Sequence, residues 1–186
     1  MAKYILASGS PRRKQLLEWA EIDFEIIVEP TDETFPENLL HDEAVIYIAN
    51  NKINAVLHKV EANKIIIAAD SVVVLNDEII GKPKDNQDAY AILNRLSGRR
   101  HQVITGVVLR SDTKRISFSD VTDVEFHYLT KEQIKFYVDR YKPYDKAGAY
   151  AIQEWIGVVG IKQIKGDFYN VMGLPISRVV QALKDF

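Results

Sequence analysis

The chain has no cysteine. That excludes disulfides, zinc–thiolate sites and thiol catalysis, and it fits a reducing compartment, so a cytoplasmic protein is expected. Neither charge dominates: 24 basic and 26 acidic residues leave a net charge of −2. Nothing global favours nucleic acid or an anionic membrane, so any affinity for anions must come from placed residues. No long apolar span occurs, and Met1-Ala2-Lys3-Tyr4 begins a strand at once, so neither a signal peptide nor a membrane helix is expected. Repeats, low-complexity segments and obvious linkers are missing too. So are several catalytic signatures. Gly81-Lys82 lacks the upstream glycine of a Walker loop and is followed by proline rather than Ser or Thr. The histidines at 41, 58, 101 and 127 have no paired metal-ligand spacing, and there is no dinucleotide fingerprint and no Gly-x-Ser-x-Gly elbow. Carboxylates, arginines and lysines are what remain to carry chemistry.

At 186 residues, 47% of them hydrophobic, the chain can bury one sizeable core, and we expect a single domain over 1–186. Helices and strands interleave. Tyr4-Ile5-Leu6 reads as a strand, Arg12 to Trp19 as a helix, Phe24 to Val28 as a second strand, and 29–41 as an acidic loop. Asp42 is a suitable N-cap for a long helix to about Val60, with Val45, Ile48, Ala49, Ile53 and Val56 on one face. The most apolar stretch, Ile65 to Leu75, reads as a central strand buried on both faces, followed by a turn at Asn76-Asp77 and a strand at Glu78-Ile79-Ile80. A helix capped by Asp85 or Asn86 runs to Ser97. Residues 101–110 and 115–126 suggest long strands, and Thr130 with Gln133 opens a helix to about Arg140. Residues 141–154 read as a loop or short helix, Ile156 to Ile164 as a strand, Asn170 to Pro175 as a loop, and Ile176 to Phe186 as a last helix. The pattern implies an α/β domain with a mixed sheet.

Three places hold chemistry. Ala7-Ser8-Gly9-Ser10-Pro11-Arg12-Arg13 joins a strand to a helix through small residues, with Ser10 as N-cap and Pro11 at the first helical position. Free N–H groups there, the helix dipole and two guanidinium forks would grip phosphate; the alternative is an ordinary turn with solvated arginines. Asp70 interrupts the most apolar strand, so it is either functional or a satisfied structural partner, because burying it unpaired costs several kcal/mol, on the order of charge-desolvation penalties. Lys52 lies beside Ile53 at the edge of a helix face, where its amine either reaches a cleft or stays solvated. Gly81-Lys82-Pro83-Lys84 adds a second basic turn. Asp70 with Glu33, and with Asp85 as a further candidate, has the oxygen donors a Mg²⁺-like ion prefers, and the basic residues could neutralise a polyphosphate. That set suits attack of water on phosphorus.

The same residues closely resemble the Maf family of nucleoside triphosphate pyrophosphatases. The resemblance runs through Leu6 to Arg13, Ala69-Asp70-Ser71-Val72-Val73, Gly81-Lys82-Pro83, Leu96-Ser97-Gly98-Arg99, Thr105-Gly106-Val107, Asp145 to Tyr150, Ile152-Gln153 and Tyr169 to Pro175. It implies an elongated, twisted mixed sheet flanked by helices, two lobes around a deep cleft, and hydrolysis of a nucleoside triphosphate to monophosphate and pyrophosphate with a divalent cation, Mg²⁺ or Mn²⁺. It implies Asp70 as proton acceptor. Ser8, Arg13, Lys52, Lys82 and Glu33 match positions used for phosphates and metal, whereas Arg12, Ser71 and Gln153 match positions that tune base choice. A homodimer is also an expectation of the resemblance.

Two departures stand out. Ser71 replaces the usual Thr, which keeps the hydroxyl's donor and acceptor capacity. Glu154-Trp155 follows Gln153 where the family commonly has Gly, which could reshape the rim of the base pocket. The Asp145 to Gln153 pattern resembles the branch acting on dTTP and UTP rather than the one preferring 7-methyl-GTP. A competing expectation is a nucleotide-binding regulator of division or septum formation with little catalysis, and a nucleic-acid binder is disfavoured by the charge balance.

Overall fold

A computed structural model describes residues 3–186; Met1 and Ala2 of the expected first strand lie outside the described residues. Strand β1 (Tyr4–Leu6) pairs in parallel with β2 (Phe24–Ile26) on one side and with β3 (Ile65–Leu75) on the other. Parallel neighbours need a crossover, and each of these connections carries a helix, α1 (Pro11–Trp19) and α2 (His41–Val56). Asn76 and Asp77, both at positive φ, turn β3 back into antiparallel β4 (Glu78–Ile80). After α3 (Asn86–Leu96) come β5 (Arg100–Arg110), β6 (Arg115–Phe126) and α4 (Lys131–Tyr141). Helix α5 (Trp155–Gly160), β7 (Ile161–Lys165), α6 (Phe168–Met172) and α7 (Ile176–Leu183) complete the chain. The mixed sheet has seven strands in the order β2-β1-β3-β5-β6-β7, with β4 on β3 and β7 antiparallel to β6. It is flanked by helices.

Two compact units divide the chain. Unit 1 comprises the residues up to Ser71 with Thr105–Asp120 and Gly173–Phe186; unit 2 comprises Val72–Ile104 and Val121–Met172. In unit 1 the inner face of α2, including Ala49, Ile53 and Val56, packs on Ile5, Ala7, Ile66, Ala68 and Val108. Gly106 is required there, because a Cβ would come within 2.5 Å of the Ile46 backbone nitrogen. In unit 2 the apolar faces of α3 (Ala89, Leu93, Leu96) and α4 (Ile134, Tyr137, Val138) pack on Val73, Leu75, Phe126 and Tyr150. Thr130 and Gln133 form the expected capping box of α4.

Several boundaries differ from expectation. Helix α2 starts at His41, with Leu40 at the N-cap and its N–H accepted by Glu43 at 3.0 Å; Asp42 instead sits in the first turn, where its charge still favours the helix N-terminus. It ends at Val56 and tightens into a 3₁₀ turn at Leu57–Lys59. The apolar run from Ile156 is helical to Gly160 before β7 begins. Its period is that of a helix: Ile156 and Gly160, one turn apart, are buried while Val158 is 84% exposed. Short apolar runs do not separate the two periods, which is why the sequence suggested a strand throughout. Of the loop expected over Asn170 to Pro175, Asn170 to Met172 belong to α6 and the rest is non-helical, and α7 ends at Leu183 rather than at the last residue.

Candidate active site

The Ser8–Arg13 turn is built as its residues suggest, but its donors are used differently. Ser10 is the N-cap of α1 in extended conformation, and its Oγ accepts a long hydrogen bond from the Arg13 N–H at 3.5 Å. The Ser8 Oγ accepts from the Ser10 N–H at 3.3 Å. Serine hydroxyls therefore satisfy two N–H groups that sequence reasoning left open for phosphate. Arg13 is 8% exposed. Its Nε donates to the Gly173 carbonyl at 2.8 Å, and its two terminal nitrogens donate to the Ser8 and Ser71 hydroxyls, each at 3.1 Å. Ser71 Oγ lies 2.8 Å from the Thr105 hydroxyl. The planar fork thus joins the β1–α1 turn, β3 and the segment before α7. A guanidinium has five N–H donors, so these bonds leave it capacity for an anion. Burial lowers the Arg13 pKa and Arg12 lowers it further, while the carboxylates of Asp70 and Glu33 oppose that shift. Arg12, its neighbour, is half-buried.

A second cluster forms around Lys52. Because Ile53 is fully buried, the lysine one position earlier leaves the edge of the apolar face and its amine is aimed at β3. Lys52 Nζ lies 2.6 Å from Asp70 Oδ1 and 3.0 Å from Glu33 Oε1. The Asp70 and Lys52 side chains are both largely buried, whereas Glu33 is nearly half exposed on its loop. One cation thus already holds two carboxylates from separate segments. This oxygen-only pair suits a hard divalent ion, with the remaining ligand positions left to water and phosphate oxygens. Among the described residues no group of three or more His, Cys, Asp or Glu forms a metal set. Asp85, the further ligand candidate, is the N-cap of α3, its Oδ1 accepting from the Asp88 N–H at 2.8 Å.

Unit 2 carries Lys82 and Gln153. Gly148, at φ +70°, donates its N–H to the Gly81 carbonyl at 3.1 Å, so the loop after Lys146 holds the backbone next to Lys82. Pro83 is buried and Lys82 is exposed. Gln153 is exposed in a turn closed by the Glu154 N–H on the Ala151 carbonyl at 3.1 Å. Glu154 accepts from the Tyr137 hydroxyl and lies 3.7 Å from Lys146 Nζ. The structure therefore brings together Ser8, Arg13 and Ser71, and separately Glu33, Lys52 and Asp70, all in unit 1. Sequence reasoning missed Thr105 and Gly173 as polar partners, although both fall in motifs it singled out. It missed Tyr137 because an aromatic on the inner face of an amphipathic helix reads as core.

The model of the Maf-like protein family matches residues 3–186. The chain belongs to the Maf family. Curated Maf relatives named dTTP/UTP pyrophosphatase include that of Parabacteroides distasonis, 45% identical over 99% of this chain and 96% of its own. The Cytophaga hutchinsonii protein of the same name is 47% identical over 97% of this chain and 82% of its own. That of Flavobacterium psychrophilum is 44% identical over 95% and 91%. The Staphylococcus aureus Ham1 protein, a solved structure, aligns at 16% identity over 66% of this chain and 71% of its own, with a TM-score of 0.48. Among the described residues, no helix of this Maf chain is long and apolar enough to cross a membrane.

Proposed function

We propose that this Maf-family chain is a nucleoside triphosphate pyrophosphatase that hydrolyses dTTP and UTP to the monophosphate and pyrophosphate, the activity for which its relatives are named. The observation that carries the reading is the Lys52 ammonium shared by Asp70 and Glu33, 2.6 and 3.0 Å away. A strand carboxylate so placed, beside a turn lined with hydroxyls and guanidinium, suits in-line attack of water on the α-phosphorus. The new P–O bond forms as the bond from the α-phosphorus to the bridging oxygen breaks; pyrophosphate leaves and Asp70 takes the proton of the water. A divalent cation, Mg²⁺ or Mn²⁺, held by Asp70 and Glu33, would neutralise triphosphate charge and make the water more acidic. Lys52 orients the Asp70 carboxylate before substrate arrives and then faces phosphate oxygens.

Arg13, Lys82 and Ser8 are assigned to phosphate binding, and Arg12, Ser71 and Gln153 to choice of base. A Gln amide offers both a donor and an acceptor to a uracil or thymine edge. We take residues 1–186 to act as one domain in the cytoplasm on a nucleotide substrate, without nucleic acid or membrane, and a homodimer to be the assembly that light scattering should test. The decisive measurement is release of monophosphate and pyrophosphate from a panel of nucleoside triphosphates by the purified chain with Mg²⁺ or Mn²⁺. Turnover led by dTTP and UTP is expected; no pyrophosphate from any pyrimidine triphosphate would overturn the reading.

A further inference from the structure

The four residues Ala151 to Glu154 form a turn whose ends are tied to one buried side chain. The Ala151 N–H donates to the Tyr137 hydroxyl at 3.1 Å, and that hydroxyl donates to the Glu154 carboxylate. Tyr137 is fully buried on α4, so its ring is fixed by the core and its oxygen is a rigid point. The turn is closed independently by the Glu154 N–H on the Ala151 carbonyl, and Glu154 lies 3.7 Å from Lys146 Nζ, an ammonium that also pairs with Asp145 at 2.7 Å. Trp155 continues the anchorage, meeting Phe136 edge-on at 4.8 Å between ring centroids. Consecutive residues of α4, Phe136 and Tyr137, therefore hold consecutive residues of the loop, Trp155 and Glu154. Gly157 lets the chain leave the turn, since a Cβ there would lie 1.7 Å from the Ile152 carbonyl oxygen. Within Ala151–Glu154 only Gln153 is exposed.

We propose that Tyr137 and Glu154 are positioning residues for base selection: they fix the backbone that carries Gln153 and thereby the direction in which its amide meets the base. The inference rests on the reading of Gln153 as a base-selecting residue. An amide can rotate to present either its donor or its acceptor, so by itself it serves a cytosine edge as well as a uracil edge. Discrimination requires that the amide be held in one direction, which starts from a backbone locked by its supporting hydrogen bonds. The Glu154-Trp155 pair supplies that hold here, with a hydroxyl that both accepts and donates at its centre.

The test compares kcat and KM for UTP and CTP in the full chain and in Tyr137→Phe, Glu154→Ala, Glu154→Gln and Gln153→Ala, with amide hydrogen exchange of 151–154 alongside. Tyr137→Phe keeps the ring in the core and removes only the hydroxyl. It should lower the UTP-to-CTP ratio of kcat/KM by about tenfold with kcat for UTP within about threefold, a pattern of changed discrimination rather than of lost chemistry. Exchange at Ala151 should quicken. Glu154→Ala should do the same, and Glu154→Gln, which retains a carbonyl for the Tyr137 hydroxyl, should keep the wild-type ratio. Equal losses on both nucleotides in Tyr137→Phe, or an unchanged ratio with faster exchange at Ala151, would overturn the proposal. Loss of discrimination in Gln153→Ala together with none in Tyr137→Phe or Glu154→Ala removes the clamp alone. An unchanged ratio in Gln153→Ala removes the underlying reading of Gln153, and the proposal with it.

Discussion

The Lys52 ammonium lies 2.6 Å from the Asp70 carboxylate, with both side chains largely buried. A charged residue in the most apolar strand of the chain is tolerated because a helix delivers its counter-ion. Removing either partner leaves the other charge with poor solvation, which typically costs more than the intact pair contributes.

Asp70→Asn should therefore lower pyrophosphate release by about 10²-fold or more on every nucleotide, because the proton acceptor is lost. The folded state should survive, since an amide oxygen can still accept from Lys52. Lys52→Met should in addition lower the urea unfolding free energy by about 3 kcal/mol, the lower end of the range for breaking a buried pair. Turnover within a few-fold of wild type in Asp70→Asn would show that another group takes the proton.

Arg13 and Arg12 are adjacent but differently placed. Arg13→Ala removes bonds to Gly173, Ser8 and Ser71, and should depress turnover on every nucleotide while costing about 1–3 kcal/mol for the polar groups left unpaired. Arg13→Lys should rescue little, because an ammonium on a flexible stem cannot reproduce the planar fork. Arg12→Ala should mainly alter the ranking among nucleotides. Steady-state kinetics on a nucleotide panel separates the two outcomes, and equal losses for both variants would show that the division of roles is mistaken.

His101 is 2% exposed, lies 2.8 Å from the Tyr150 hydroxyl, and has its pKa lowered by burial from 6.5 to about 4. The unfolded chain binds this proton more readily than the folded one. Stability should thus be complete above about pH 6.5 and be lost as pH falls toward 4, by up to about 3 kcal/mol, each tenfold difference in proton affinity being worth about 1.4 kcal/mol. His101→Gln should flatten that part of the profile of unfolding free energy against pH. A wild-type profile level from about pH 7 to about pH 4.5 would contradict the assignment.

Gly148 combines φ +70° with a Cβ position 2.8 Å from Val73 Cγ2. Gly148→Ala should lower stability by more than about 1 kcal/mol, since the backbone strain and the contact act together. The Gly148 N–H also supports Gly81, so the KM for triphosphate should rise through Lys82. Thermal unfolding and nucleotide titration check the two effects; an unchanged melting temperature would show that the loop rearranges freely.

Long periodic segments were legible in the sequence because periodicity reports which face is buried. The apolar faces of α2 and α3, the doubly buried β3 and the capping box of α4 all follow from residue order. The run from Ile156 was not legible: five apolar or glycine residues satisfy a strand and a helix alike until neighbours choose. Asp70 announced itself by polarity in an apolar run, and the serine–proline–arginine turn by its cap.

What residue order could not convey is which donor meets which acceptor across long separations. Arg13 meets Ser71, and Lys52 meets Asp70, because parallel pairing of β1 and β3 and the crossover of α2 bring those segments side by side. The sequence by itself determined the long periodic elements, the family and the residue types able to bind phosphate and metal. Tertiary structure alone decided that the arginine assigned to phosphate also cross-links Gly173, Ser8 and Ser71, and that the Tyr137 hydroxyl meets both the Ala151 N–H and the Glu154 carboxylate. The reason is physical: burial and capping are written in local spacing, whereas hydrogen-bond pairing is set by packing between segments far apart in the chain.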